Sequence, residues 1–119
     1  LPLPVSVPSH CALMKPAAAQ LASDLASMSF NAPSFAVVNN VDVAIAADEA
    51  AVKDALVRQL YSPVRWTETI EWLSAQGVTQ VVEIGAGKVL NGLVKRINRD
   101  LEVSSVNDLA SFKAAFAAE

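Results

Sequence analysis

The chain has 119 residues, one domain's worth of length, and an apolar load of 53% against only 18% charged residues. A net charge of −3 argues against a nucleic-acid backbone as partner, and no uninterrupted apolar run or signal-peptide pattern suits a membrane. A single cysteine, Cys11, excludes an internal disulfide and a cysteine-rich zinc site, so the expectation is a soluble, cytoplasmic protein with no metal.

The apolar load is high for an isolated domain of this size and reads as a core element cut from something larger. Leu1-Pro2-Leu3-Pro4, which lacks an initiator methionine and runs straight into a strand pattern, is read in the same way. Leu3 to Val7 form the first expected strand. Leu13, Met14, Ala17, Leu21, Leu25 and Met28 then recur at helical spacing, with Pro16 tolerated in the first turn. Asn31 to Ser34 is a loop, and Phe35 to Val38 reads as a compact buried strand. Val41 to Ala47 fits either a weak strand or an irregular segment.

Asp48 suits the N-cap of a helix that carries Val52, Leu56 and Leu60 on one face and breaks at Ser62-Pro63. A further helix carries Trp66, Ile70 and Leu73 and stops at Gly77, a favourable residue just past a helix end. Thr79 to Ile84 is a β-branched strand. Gly85-Ala86-Gly87-Lys88 then turns into a helix with Leu90, Leu93, Val94 and Ile97. Glu102 to Val106 is the last strand, and Leu109, Phe112 and Phe116 mark a terminal helix. This alternation predicts an α/β fold, a parallel sheet with helices on both faces.

His10, the one histidine, falls where the first strand gives way to the first helix. Groups at such junctions are well placed for catalysis, and a neutral imidazole can take a proton from a hydroxyl or thiol and return it. The plainer alternative is a histidine that caps a helix. Pro63 deprives the carbonyls before it of helical partners, so one of them can accept from Nδ1 and leave Nε2 free. No Gly-x-Ser-x-Gly motif supplies a nucleophile. Cys11 reads as a packing residue, and Arg58 and Arg65 as surface residues.

The Gly85–Lys88 loop could cradle a phosphate, but Val89 stands where a P-loop needs a hydroxyl, and Val82 where it needs glycine. Leu90 likewise breaks a dinucleotide fingerprint. A small phosphate- or nucleotide-binding module is therefore the rival reading, and a non-catalytic scaffold is a second.

Four segments taken together resemble the malonyl-CoA:acyl carrier protein transacylases of bacterial fatty acid synthesis. They are Leu3-Pro-Val-Ser-Val-Pro-Ser-His10-Cys-Ala-Leu-Met, Val37-Val-Asn-Asn-Val-Asp42, Leu60-Tyr-Ser-Pro-Val-Arg-Trp66 and Glu83-Ile-Gly-Ala-Gly-Lys-Val-Leu90. The resemblance covers essentially the whole chain and only the C-terminal part of such an enzyme.

It implies that residues 1–119 are part of the large α/β-hydrolase-like subdomain, an incomplete domain. It implies that His10 is the catalytic histidine and that Gln59 supplies the carbonyl that holds it. The partner serine lies in an upstream Gly-His-Ser-Leu-Gly motif that this chain lacks. Ser9 would border the acyl pocket and Val89 would line its entrance; Ala86 departs from the family's usual Gly-Pro-Gly-Lys. The implied reaction is ping-pong transfer of malonyl from CoA to the phosphopantetheine thiol of acyl carrier protein, with no cofactor. The expected partners are acyl carrier protein, a CoA thioester and the N-terminal remainder of the polypeptide, without which the chain is expected to be inactive.

Overall fold

The computed structural model describes residues 7–116, so the expected first strand lies outside the described residues except for Val7, which sits in a bend. The chain divides into two compact units, one ending at Trp66 and the other starting at Thr67, where its length alone suggested one.

In the first unit a single 3-10 turn, Ala12–Met14, runs into helix α1, Lys15–Ala26. Pro16 occupies the start of α1, where its missing N–H costs nothing. Helix α2, Glu49–Gln59, begins as its sequence requires: Asp48 Oδ1 accepts the Ala51 N–H at 2.8 Å. The two helices pack together, and each buries small or branched side chains: Ala18 and Leu25 from α1, Ala55 from α2.

Between them, strands β1, Val38–Asn39, and β2, Ala44–Ile45, form a short antiparallel hairpin with Val38 opposite Ile45. The segment left open by its sequence thus holds both a turn and a strand. The buried strand expected over Phe35 to Val38 requires correction. Phe35 and Val37 are 73% and 51% exposed, and only Val38 enters a ladder. A strand needs a neighbour to bond to, and β2 offers one for two residues only. Phe30, Pro33, Val37, Ile45, Val52 and Leu56 line an open cavity of about 540 Å³ in this unit.

The second unit comprises α3 (Trp66–Ala75) from its second residue on, β3 (Gln80–Ile84), α4 (Val89–Ile97), β4 (Glu102–Val106) and α5 (Leu109–Phe116). Helix α3 ends as predicted at Gly77, φ +87°, with the Val78 N–H returning to Leu73 O and the Gly77 N–H to Ser74 O. Strands β3 and β4 pair in parallel from Gln80↔Glu102 to Ile84↔Val106, and α4 crosses between them. Helix α4 packs on both strands and α5 on β4, around a core of Ile70, Val94, Leu101 and Val106.

The α/β alternation is as read from the sequence, but the extent of the sheet is not. Among the described residues the parallel sheet has two strands, and β1 pairs antiparallel in a sheet of its own. Val82 and Ile84 on β3 remain exposed, as do Leu109, Phe112 and Phe116 on α5.

Candidate active site

The C-terminal end of α2 is where the chemistry gathers, and the reason is local. Ser62-Pro63 cannot continue the helix, so its last carbonyls must find acceptor roles elsewhere. The Leu60 N–H takes Val57 O and the Tyr61 N–H takes Arg58 O, which leaves the oxygens of Gln59 and Leu60. His10 fills both. Its Nδ1 lies 2.8 Å from Gln59 O, and its backbone N–H donates to Leu60 O at 3.1 Å.

A carbonyl oxygen only accepts, so this contact requires the proton to sit on Nδ1. In the neutral ring the lone pair then belongs to Nε2, which has no hydrogen-bond partner among the described residues. The imidazole is exposed, open to a substrate or to a second catalytic group.

This docking holds His10 at φ +60°, the left-handed region that side chains other than glycine seldom adopt. Such a conformation persists where surrounding bonds over-determine it. Here the Ser9 N–H turns back to Val7 O, the Cys11 thiol donates to Pro8 O at 3.1 Å, and the Met14 N–H bonds Cys11 O. Five residues on, the Lys15 ammonium sits 5.9 Å from the Tyr61 ring centre, a further tie between this segment and the end of α2. Cys11 is thus engaged in the turn, in keeping with a packing role.

Of the sequence-predicted residues, His10 and Gln59 are brought together and Ser9 lies exposed beside them in the same turn. Val89 belongs to the second unit, where it is the first residue of α4 and 72% exposed. The loop before it has Gly85 at φ +137° and Gly87 at φ +96°. Glu83 reaches from β3 to accept the Leu90 N–H at 3.1 Å and the Asn91 N–H at 3.0 Å. A carboxylate already occupies the position a phosphate needs, and this counts against the phosphate-binding rival.

Arg58, read from its sequence context as a surface residue, is one the fold engages on two sides. Its Nη1 and Nη2 grip Asp42 Oδ1 and Oδ2 at 2.7 and 2.6 Å, and its Nε bonds Asp54 Oδ2 at 2.6 Å. The Arg58 hydrogen bond holds the Asp42 carboxyl below its usual range, and the two aspartates push the guanidinium pKa up. Asp54 at helical spacing was a legible signal; Asp42 was not. No cluster of His, Cys, Asp or Glu able to hold a metal occurs among the described residues.

No family model matches the chain. Among curated proteins it is 60% identical over 115 residues to the malonyl CoA-acyl carrier protein transacylase of Salmonella typhimurium, and 60% over 114 residues to that of Haemophilus influenzae. These matches cover 97% and 96% of the chain but only 37% and 36% of the relatives, so it spans little more than a third of their length. Among solved structures, an acyl carrier protein S-malonyltransferase from Vibrio cholerae superposes with a TM-score of 0.91 at 63% identity, over 97% of this chain and 38% of that one. A malonyl-transacylase in complex with its type II PKS acyl-carrier protein gives 0.94 at 58% identity, over 100% of this chain and 38% of that one. In sequence and in backbone the chain matches the C-terminal portion of the malonyl CoA-acyl carrier protein transacylases.

Proposed function

We propose that this chain supplies the histidine half of a malonyl-CoA:acyl carrier protein transacylase site, within the large α/β subdomain of a longer cytoplasmic polypeptide. The observation that carries this reading is the Nδ1 contact to Gln59 O, which leaves Nε2 as the one basic ring atom.

In the proposed reaction Nε2 takes the proton of a serine hydroxyl contributed from outside these residues. The serine oxygen attacks the malonyl thioester carbonyl, and the tetrahedral intermediate collapses to expel CoA, whose sulfur receives the proton from the imidazolium. The phosphopantetheine thiol of acyl carrier protein then gives its proton to Nε2 and attacks the serine ester. Collapse of that intermediate returns the proton to the serine oxygen. A main-chain carbonyl orients the ring but supports the imidazolium less than a carboxylate does; the reactivity of a thioester makes this sufficient. The carbonyls at the end of α2 add partial negative charge beside the ring.

Ser9, exposed next to His10, is proposed as a border of the acyl pocket. Val89 is proposed as a second substrate contact, on the likeness of the Glu83–Leu90 segment to the family. No cofactor beyond the thioester substrates is proposed. The remainder of the polypeptide is proposed to cover the 540 Å³ cavity of the first unit and the exposed Val82 and Ile84 of β3. Strands with apolar residues on both faces are ordinarily buried on both. Acyl carrier protein is the proposed second partner, supported by the relative solved with one.

The test is His10→Asn in a transacylase carrying this chain. Asparagine tolerates the left-handed backbone and its amide can still donate to Gln59 O, so the fold is kept while the base is removed. Malonyl transfer is expected to fall about 10²- to 10⁴-fold. Transfer at the wild-type rate by the folded variant sinks the reading. The isolated 119-residue chain is expected to transfer nothing.

A further inference from the structure

We infer that Arg58 is a positioning residue: clamped on Asp42, it aims the Gln59 carbonyl and so selects the tautomer of His10. As a statement about catalysis this rests on the reading of His10 as a base; as a statement about the ring it does not.

The argument begins with what brackets the acceptors. Gln59 and Leu60, whose oxygens hold His10, lie between Arg58 and Arg65, and both arginines bond one turn of the β1–β2 hairpin. Arg58 forks onto the Asp42 carboxylate, while the Arg65 N–H donates to Asn40 O at 3.0 Å and its Nη1 to Asp42 O at 3.3 Å. The segment that carries the acceptors is therefore tied on both sides to a single turn.

That turn is itself rigidly specified. Asn39 Oδ1 accepts the Asp42 N–H at 2.8 Å, and Asn39 Nδ2 donates to Ala44 O at 2.9 Å. Next to Asp42, the β-branched Val43 is held at φ +58°, a conformation that needs its neighbours to maintain it. A fixed turn gives the guanidinium a fixed target, and Asp54 on the same helix pins the arm from the other side.

Magnitudes separate a positioning role from a merely stabilising one. The Arg58 and Asp42 side chains are 32% and 39% exposed, and ion pairs this wet add little to stability. A bidentate fork nonetheless fixes direction, and a hydrogen bond to a carbonyl weakens steeply once its angle is lost. Loss of the clamp is therefore expected to show at the His10 ring before it shows in the unfolding midpoint.

The test uses Arg58→Met, Asp42→Asn and the double variant in a transacylase carrying this chain, with the His10 ring-nitrogen signals assigned by their loss in His10→Asn. Nitrogen-15 shifts of the neutral ring report the tautomer, and circular dichroism reports the fold. In the parent chain the protonated nitrogen is expected to be Nδ1. In each single variant that preference is expected to fall about tenfold with helical signal retained, the factor that accompanies loss of about one hydrogen bond. The double variant is expected to match the worse single one.

Unchanged ring shifts in either single variant overturn the inference, as do effects that add in the double. Unfolding of Asp42→Asn also overturns it, because the pair then supports the fold and not the ring. Failure of the catalytic reading is distinguishable. His10→Asn would then leave malonyl transfer intact whatever the ring signals report.

Discussion

His10 and Gln59 stand 49 residues apart in the chain and meet at 2.8 Å, ring nitrogen to main-chain oxygen. The acceptor belongs to the backbone, so the contact depends on where α2 ends and not on which side chain occupies position 59. Gln59→Ala is accordingly expected to keep the His10 tautomer and to change transfer less than about threefold, the size of a surface substitution. A loss comparable to that of His10→Asn would instead assign a role to the glutamine amide. Transfer assays on the two variants side by side separate these outcomes.

Glu83 caps α4 across the Gly85–Lys88 loop. Glu83→Ala strips acceptors from two amides, and the cost is expected to be about 1–2 kcal/mol in denaturant unfolding. The parent chain is expected to bind neither ATP nor inorganic phosphate in calorimetric titration. Binding that Lys88→Ala abolishes would reinstate the phosphate-loop alternative.

Acid should weaken the protein in a definite window. Asp42 is held below its usual pKa by the Arg58 hydrogen bond, Glu49 by the Lys53 hydrogen bond, and Asp108 by the Ser111 N–H. Each therefore binds its proton more weakly folded than unfolded. Its stabilisation is present above the ordinary carboxylate range, about pH 4, and is lost as pH falls through the lower folded value. Melting temperatures are expected to be flat from about pH 7 to 5 and to decline below about pH 4. Asp42→Asn should flatten part of that decline, and an unchanged acid limb would exclude Asp42 as a contributor.

Gly77 ends α3 in the left-handed region, and a Cβ added there meets nothing within 4 Å. The cost of Gly77→Ala is thus backbone strain alone, about 1–2 kcal/mol. A neutral result in chemical unfolding would mean that the end of α3 relaxes.

Local chemistry made much of the architecture legible. Asp48 before an apolar-periodic run, Gly77 after one and the β-branched Thr79–Ile84 stretch each specify an element through interactions within a few residues, and each element appears where expected. The contact of His10 with a main-chain carbonyl was legible from Pro63, because a broken helix leaves carbonyls to be claimed. Phe35 to Val38 shows the limit. Its apolar run satisfies the pattern of a buried strand, yet strand pairing and burial both depend on a neighbour, and here the ladder takes only Val38.

Arg58 shows the same limit at the site. Composition and helical spacing place Asp54 beside it, but the fork onto Asp42 exists only because a turn with Val43 at φ +58° comes back against α2. Sequence by itself determined the caps, the helix stops and the identity of the ring, since each is set by short-range sterics and by orphaned backbone groups. Tertiary structure alone decided which carboxylate of a distant turn Arg58 grips, because a hydrogen bond is a matter of a few tenths of an ångström and a few degrees, which no spacing along a chain can encode.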